Sequence, residues 1–183
     1  ITRVDAHTTL EPSYVRVGVE TLQRTGADNV GGLMRCNGGS RAADAIAYAM
    51  SSRFGIGSQF HFATEECETD TVYMGMYPRA VFGRIGLYDE ELVRNQDEEL
   101  NYRLRKAGGK VFLTPHMHSH YQNRESFKAL RRQFYQYGLW KIRVLQKHPS
   151  QMSLRHFIPP LFIAGVIVTA VGAPLYPLLG WLF

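Results

Sequence analysis

Acidic residues run out well before the chain does. The last one is Glu125, and from Ser126 to Phe183 there are seven Lys or Arg and no Asp or Glu. Residues 1–125 hold 14 bases against 16 acids, so the net charge of +5 belongs wholly to the C-terminal third. A basic end of this kind suits nucleic acid or an anionic membrane surface. Cysteine is nearly absent too. Cys36 and Cys67 form no metal-like spacing, which leaves free thiols as in a cytosolic domain. No internal repeat or low-complexity tract is present, which excludes a solenoid. The chain has no initiator Met and no signal peptide. "ITRVDAH" opens inside an apolar, β-branched pattern, so an upstream portion is expected.

A long uncharged run is present instead. Phe157 to Phe183, "FIPPLFIAGVIVTAVGAPLYPLLGWLF", carries no charge over 27 residues, where a bilayer-spanning helix needs about 20. A membrane segment is expected there. Pro174 and Pro177 leave open one kinked span or one span followed by the start of another. The bases just before it (Arg132, Lys141, Arg143, Lys147, Arg155) put that side in the cytoplasm by the positive-inside rule. With a membrane run following directly and no binding motif in sight, nucleic acid is not an expected partner.

The length of 183 residues allows one core-bearing domain with an appendage. Ile1–Val4 reads as the end of a strand. Pro12 and Gly26 then bracket a helix with Tyr14, Val15, Val19 and Leu22 as its buried stripe. "NVGGLMR" is a short strand, Ala42–Met50 a small-residue helix, and "SRFGIGSQFHF" a loop. "DTVYMGMY" alternates as a strand that Pro78 ends. "RNQDEELNYRLRKAGGK" is a helix, "KVFLTP" a strand, and Ser126–Lys147 a long helix. Strands and helices mostly alternate, so the domain is α/β. The divisions are 1–125 for the globular part, 126–156 for a basic amphipathic helix and linker, and 157–183 for the membrane segment.

Two places offer chemistry. The helix over Arg94–Lys110 accounts for its own charges: acids at its start and Arg103, Arg105 and Lys106 near its end suit the macrodipole. Glu99 and Arg103 form an i,i+4 pair, and Gly108 suits the C′ position. Upstream, Asp5 and His7 stand two apart at a strand end, the carboxyl edge where open α/β sheets bind ligands. The same "VDAH" also reads as an Asx turn leading into the Thr8–Pro12 helix start. In the basic helix, Phe127, Leu130, Phe134, Tyr137, Ile142 and Leu145 roughly follow helical spacing among the bases. That pattern suits a helix lying at an anionic lipid interface.

Order and spacing together make a family pattern. "RVDAHTTLEPSYV", then "DTVYMGMYPRAVFGRIGLYDEELVRNQDEELNYRLRKAGGKVFLTP", then "RRQFYQYGLWK", resembles a family-2 glycosyltransferase of the GT-A fold, closest to the membrane-associated enzymes of succinoglycan-type exopolysaccharide synthesis. The resemblance implies that the globular part is the C-terminal half of a GT-A domain, inactive without its nucleotide-binding first half. It implies a divalent cation, Mn²⁺ or Mg²⁺, held by Asp5 as the leading acid of an Asp-x-Asp motif, with His7 in place of the second Asp and His120 of "TPHMHSHY" as a further ligand. His116 and His118 lie in the same row, which also reads as a polar strand face.

Asp97 aligns with the family's catalytic base, with Gln96 in place of the usual Glu. Leu100 and Arg103 match the helix residues that follow, while Glu98 and Glu99 fall on positions the family does not use. Arg132, Gln133 and Tyr137 loosely match the family's last motif and, with Gly75, are the expected diphosphate or substrate contacts. The loose match points to addition of a single sugar rather than processive synthesis. The implied activity is inverting transfer from a nucleotide-sugar, UDP-linked, to a lipid-linked saccharide at the cytoplasmic (inner) membrane. Two alternatives remain: a polyprenyl-phosphate glycosyltransferase, and a non-catalytic membrane-anchored scaffold. Acceptor choice is expected in loops such as Gly55–Glu68.

Overall fold

A computed structural model describes residues 1–37, 39–52, 59–152 and 157–172. The chain forms two compact units, Ile1–Val144 and Leu145–Phe183. The first is mixed α/β, and its long parallel pair is made by β2 (Asn29–Asn37) and β5 (Val111–Gln122). β1 (Thr8–Leu10) and β3 (Cys67–Glu68) pair antiparallel with β5, and β4 (Tyr73–Met76) pairs antiparallel with β2, giving the order β1-β5-β2-β4 with β3 also against β5. The remaining elements are α1 (Tyr14–Thr25), α2 (Arg41–Ser51), α3 (Arg79–Ile85), α4 (Gln96–Lys106) and α5 (Phe127–Lys147).

The strand pairing is irregular where the backbones crowd. Gly31 of β2 lies opposite Leu113, but Leu33 lies opposite His118, so β5 bulges between them. A Cβ on Gly32 would sit 2.0 Å from the Met117 carbonyl oxygen, a separation that only glycine allows. β4 carries a second irregularity. Val30 pairs with Met76 and Gly32 with Tyr73, and the extra residue is absorbed at Met74, whose φ of 50° is strained for a side chain of that size. The buried Tyr14 hydroxyl donates to the Met74 carbonyl at 2.7 Å and holds that turn of the chain.

Two buried clusters flank this framework. One gathers Tyr14, Ala27, Val30, Met74, Met76 and Met117 under α1, the other Val72, Tyr77, Val81, Leu100, Leu104, Val111 and Leu113 under α3 and α4. The face of α1 differs from the expected stripe: Tyr14, Gly18 and Thr21 are buried, while Val15 and Val19 are exposed. A Cβ on Gly18 would meet the Met76 Cε at 2.7 Å, so the small residue, not the valines, lets the helix close on the sheet.

α2 runs one residue beyond the expected helix at each end and is capped by Ser40, whose hydroxyl accepts from the Ala43 N–H at 3.2 Å. α3 escaped the sequence reading, in which Pro78 only ended a strand; it also starts a helix. Ile1–Val4 is not a strand: a single bridge joins Thr2 to Met76, with the Tyr77 N–H donating to the Ile1 carbonyl at 2.8 Å. The expected loop over residues 52–62 is a 3₁₀ turn at Gln59–His61, and residues 53–58 lie outside the described residues. Cys36 and Cys67 are free thiols.

In the second unit, α6 (Ile158–Gly172) is apolar, and most of its side chains are exposed. Among the described residues no helix is long and apolar enough to cross a membrane. The apolar run continues into residues 173–183, which lie outside the described residues together with Arg155, Pro174 and Pro177.

Candidate active site around Arg3

Asp5 and Asp97 reach the same guanidinium. Arg3 donates from one terminal nitrogen to Asp97 Oδ1 and from the other to Asp5 Oδ1 at 3.3 Å, joining residues 94 apart in the sequence. Its Cζ lies 5.2 Å from the centroid of the Tyr88 ring, a cation–π contact on its flank. The Arg3 backbone N–H donates to the Gly75 carbonyl at 3.4 Å, and the Asp5 N–H points at the Met74 sulfur at 3.3 Å. The Asp5 carbonyl then accepts from Thr8 N–H at 3.0 Å, so "VDAH" is a turn that leads into β1 rather than into a helix.

Asp97 stands in the first turn of α4. Its carboxyl pKa is pushed above the ordinary carboxylate range, first by burial, against which the Arg3 charge pulls down and the Asp5 charge pushes further up. Partial burial of this carboxyl, not the helix dipole, therefore sets the direction of the shift. The Tyr88 phenol is pushed up to about 12 by burial and then by the Asp97 charge, and its hydroxyl is sealed from solvent. The Tyr77 phenol is likewise raised, chiefly by burial.

The other two acids of this turn serve the frame. Glu99, whose side chain is 2% exposed, is clasped by Arg103 through Nε at 2.6 Å and a terminal nitrogen at 2.9 Å. The same guanidinium donates to the carbonyls of Ile85 and, at 2.8 Å, Leu87, and so fixes the segment that carries Tyr88. Glu98 pairs with Lys141 of α5. Next to it, Asn95 takes a left-handed φ of 62° and donates to the Tyr137 carbonyl at 3.2 Å, while Arg94 donates to Gln136 at 3.4 Å. Arg143 pairs with Glu91. Lys141 and Arg143 are thus spent on docking α5 beside Asp97. Lys128, Arg131 and Arg132 of α5 are exposed and line an open groove with Tyr135.

The remaining candidates do not join the Arg3 cluster as one set. His7 is exposed and packs edge-on to Tyr121, centroids 4.9 Å apart. His120 Nε2 lies 3.5 Å from Glu11. His118, pushed below the ordinary histidine range by burial and then by Arg35, has a buried Nδ1 without a partner. Among the described residues no three His, Cys, Asp or Glu side chains converge as a cation needs, so Asp5, His7 and His120 do not by themselves fit a divalent ion.

Gln133 is buried, and its amide is occupied. It donates to the Tyr137 hydroxyl at 2.7 Å and the Tyr121 hydroxyl at 3.4 Å, and accepts from Arg124 at 3.2 Å. Gly75 has a packing reason of its own, since a Cβ there would lie 2.4 Å from Asn29 Oδ1. Arg3 and Tyr88 were missed by the sequence reading. The one available signal was that Arg3 stands two residues before Asp5, so that on an extended segment both side chains share a side.

Two acids from distant segments of an α/β unit thus meet on one cation whose backbone is tied to β4. The chain is 31% identical over 172 residues to succinoglycan biosynthesis protein ExoA of Rhizobium meliloti (strain 1021), covering 93% of this chain and 52% of that protein. It is 29% identical over 148 residues to a dolichyl N-acetyl-alpha-D-glucosaminyl phosphate 3-beta-D-2,3-diacetamido-2,3-dideoxy-beta-D-glucuronosyltransferase of Methanococcus voltae, covering 78% of this chain and 46% of that one. By these likenesses the chain is a relative of family-2-like glycosyltransferases. It spans about half the length of the curated relatives it matches. No protein-family model matches it. Among solved structures, GalNAc-T7 with UDP, GalNAc and Mn²⁺ aligns with a TM-score of 0.49 at 18% identity, covering 68% of this chain and 28% of that one.

Proposed function

We propose that the protein of which this chain forms part is an inverting glycosyltransferase that moves one sugar from a UDP-linked donor to a lipid-linked saccharide. The observation that carries this reading is the meeting of Asp5 and Asp97 on Arg3. The acceptor class draws on the Methanococcus voltae relative, whose name describes transfer to a dolichyl-phosphate-linked sugar. Exopolysaccharide synthesis is the setting that the Rhizobium meliloti name suggests.

In this mechanism Asp97 accepts the proton of the acceptor hydroxyl. The acceptor oxygen forms its bond to the anomeric carbon as the bond from that carbon to the nucleotide diphosphate breaks, and the diphosphate leaves with the electron pair. A carboxylate whose pKa is raised by burial is a stronger base than a solvated one, and such general-base help contributes about 10²- to 10⁴-fold. With a base and no enzyme nucleophile, the anomeric centre inverts.

The membrane is the proposed location, with the globular unit on the cytoplasmic side. Support comes from the uncharged run at 157–183 and from the exposed Lys128, Arg131 and Arg132 beside the exposed Phe127, Tyr135 and Leu139.

The test is Asp97→Asn in the full-length protein, assayed with UDP-sugars and lipid extract. Transfer is expected to fall by about 10²-fold or more while folding is kept. Turnover near the parent level would refute the assignment.

A further inference from the structure

Arg3 lies in the family-like stretch but is given no role by the resemblance, yet it touches more of the site than the residues that are given one. It contacts both acids through separate nitrogens, lies over Tyr88, and is anchored by its own backbone to Gly75. Without a cation between them, Asp5 and Asp97 would repel each other in a partly buried place, and the Asp97 carboxyl could rotate away from its present direction. A planar guanidinium fixes both, because its donors diverge in one rigid plane. The Tyr88 ring closes the flank, and Tyr88 is itself held by the two carbonyls that Arg103 ties down.

We propose that Arg3, backed by Tyr88, is a positioning residue that aims the Asp97 carboxylate and keeps it apart from Asp5 during transfer. The proposal rests on Asp97 being the base, and the experiment separates the two. The groups facing Asp97 are Arg3 and Asp5 from the first segment, Tyr77 from the end of β4, and Tyr88 from the segment before α4. Arg3 is the one cation among them.

In the full-length protein, Arg3→Met, Arg3→Lys, Tyr88→Leu and Asp97→Asn are compared by kcat and by KM for a UDP-sugar, with a melting curve for each. Arg3→Met is expected to lower kcat by about 10- to 100-fold with donor KM within about twofold, the scale of a misaimed reacting group. Arg3→Lys is expected to recover part of that loss, since an ammonium keeps the charge but cannot fork to both acids. Tyr88→Leu is expected to fall between the parent and Arg3→Met.

The double variant Arg3→Met with Asp97→Asn is expected to be no slower than Asp97→Asn alone, because the two act as a unit. An unchanged kcat in Arg3→Met, a loss confined to donor KM, or additive losses in the double variant would each overturn the positioning role. An active Asp97→Asn would overturn the base assignment, and the positioning role with it. An inactive Asp97→Asn beside a normal Arg3→Met would overturn the positioning role alone.

Discussion

Replacing Glu99 by Gln changes one charge in the interior and moves almost no volume. The side chain is 2% exposed, and Arg103, its partner, is 22% exposed. Gln keeps one oxygen to accept a hydrogen bond but turns an N–H toward the guanidinium, so the bidentate clasp becomes single and Arg103 loses its counter-ion. Breaking a fully buried pair from one side costs about 3–5 kcal/mol. The partial exposure of Arg103 lets water offset some of this, so about 2–4 kcal/mol is expected. For a unit of this size that corresponds to a fall in melting temperature of roughly 5–15 °C.

Thermal and urea unfolding followed by circular dichroism would measure the change. The double variant Glu99→Leu with Arg103→Met separates lost attraction from an orphaned charge: it is expected to lose less than the sum of the single variants. The Ile85 and Leu87 carbonyls would still lack a donor, so it should not return to parent stability. A Glu99→Gln cost below about 0.5 kcal/mol would refute the reasoning, since it would mean that the pair behaves like a solvated surface bridge.

Gly32→Ala is expected to prevent stable folding, because the new methyl would lie 2.0 Å from a backbone oxygen that the β5 bulge cannot move; recovery of folded protein is the measure. Tyr14→Phe is expected to cost about 1–2 kcal/mol in urea unfolding, since it leaves the buried Met74 carbonyl without its donor at a strained residue. Asp97 binds its proton more tightly in the folded state than when unfolded, so its contribution to stability is full below the unfolded carboxylate pKa and lost as pH rises through the raised folded value. Melting curves between about pH 4 and pH 8 should therefore show Asp97→Asn gaining on the parent as pH rises. Reversing Lys128, Arg131 and Arg132 to Glu should weaken sedimentation with phosphatidylglycerol vesicles by about 1 kcal/mol or more per residue, and leave neutral vesicles unaffected.

How much of this was legible depended on how local the cause was. α4 and α5 followed from charge order and apolar spacing, and Gly108, with φ 77°, stands where a C′ glycine was expected. α1 was found by its Pro and Gly, but its buried face was misassigned. The packing surface opposite it is two methionines, and they accept a helix only where Gly18 removes a side chain. β1 and β3, of three and two residues, exist because β5 is long enough to pair with them, and nothing within them announces a strand. The histidine row reads from sequence both as a source of a further metal ligand and as a polar strand face, and it lies within β5, which runs past the expected strand end at Pro115. Its partners Glu11 and Arg35 come from other segments, so the sequence could not show that His120 answers Glu11.

The three adjacent acids of α4 show why a site can hide in a well-formed helix. The macrodipole explains Asp97, Glu98 and Glu99 equally, and by that account they are interchangeable. Packing separates them. Glu99 turns inward to the cation that fixes the Tyr88 segment, and Glu98 turns toward α5 and receives Lys141. Asp97 turns toward a cation brought from 94 residues away. Glu98 and Glu99 hold the two neighbouring segments in place, so the direction of Asp97 is set from both sides. A change at either would be felt at the third acid without touching it. Loss of Lys141 should therefore lower transfer through Asp97 while leaving the Arg103 clasp and most of the stability intact. A Lys141→Met protein with full turnover would show that α5 docking does not reach the base.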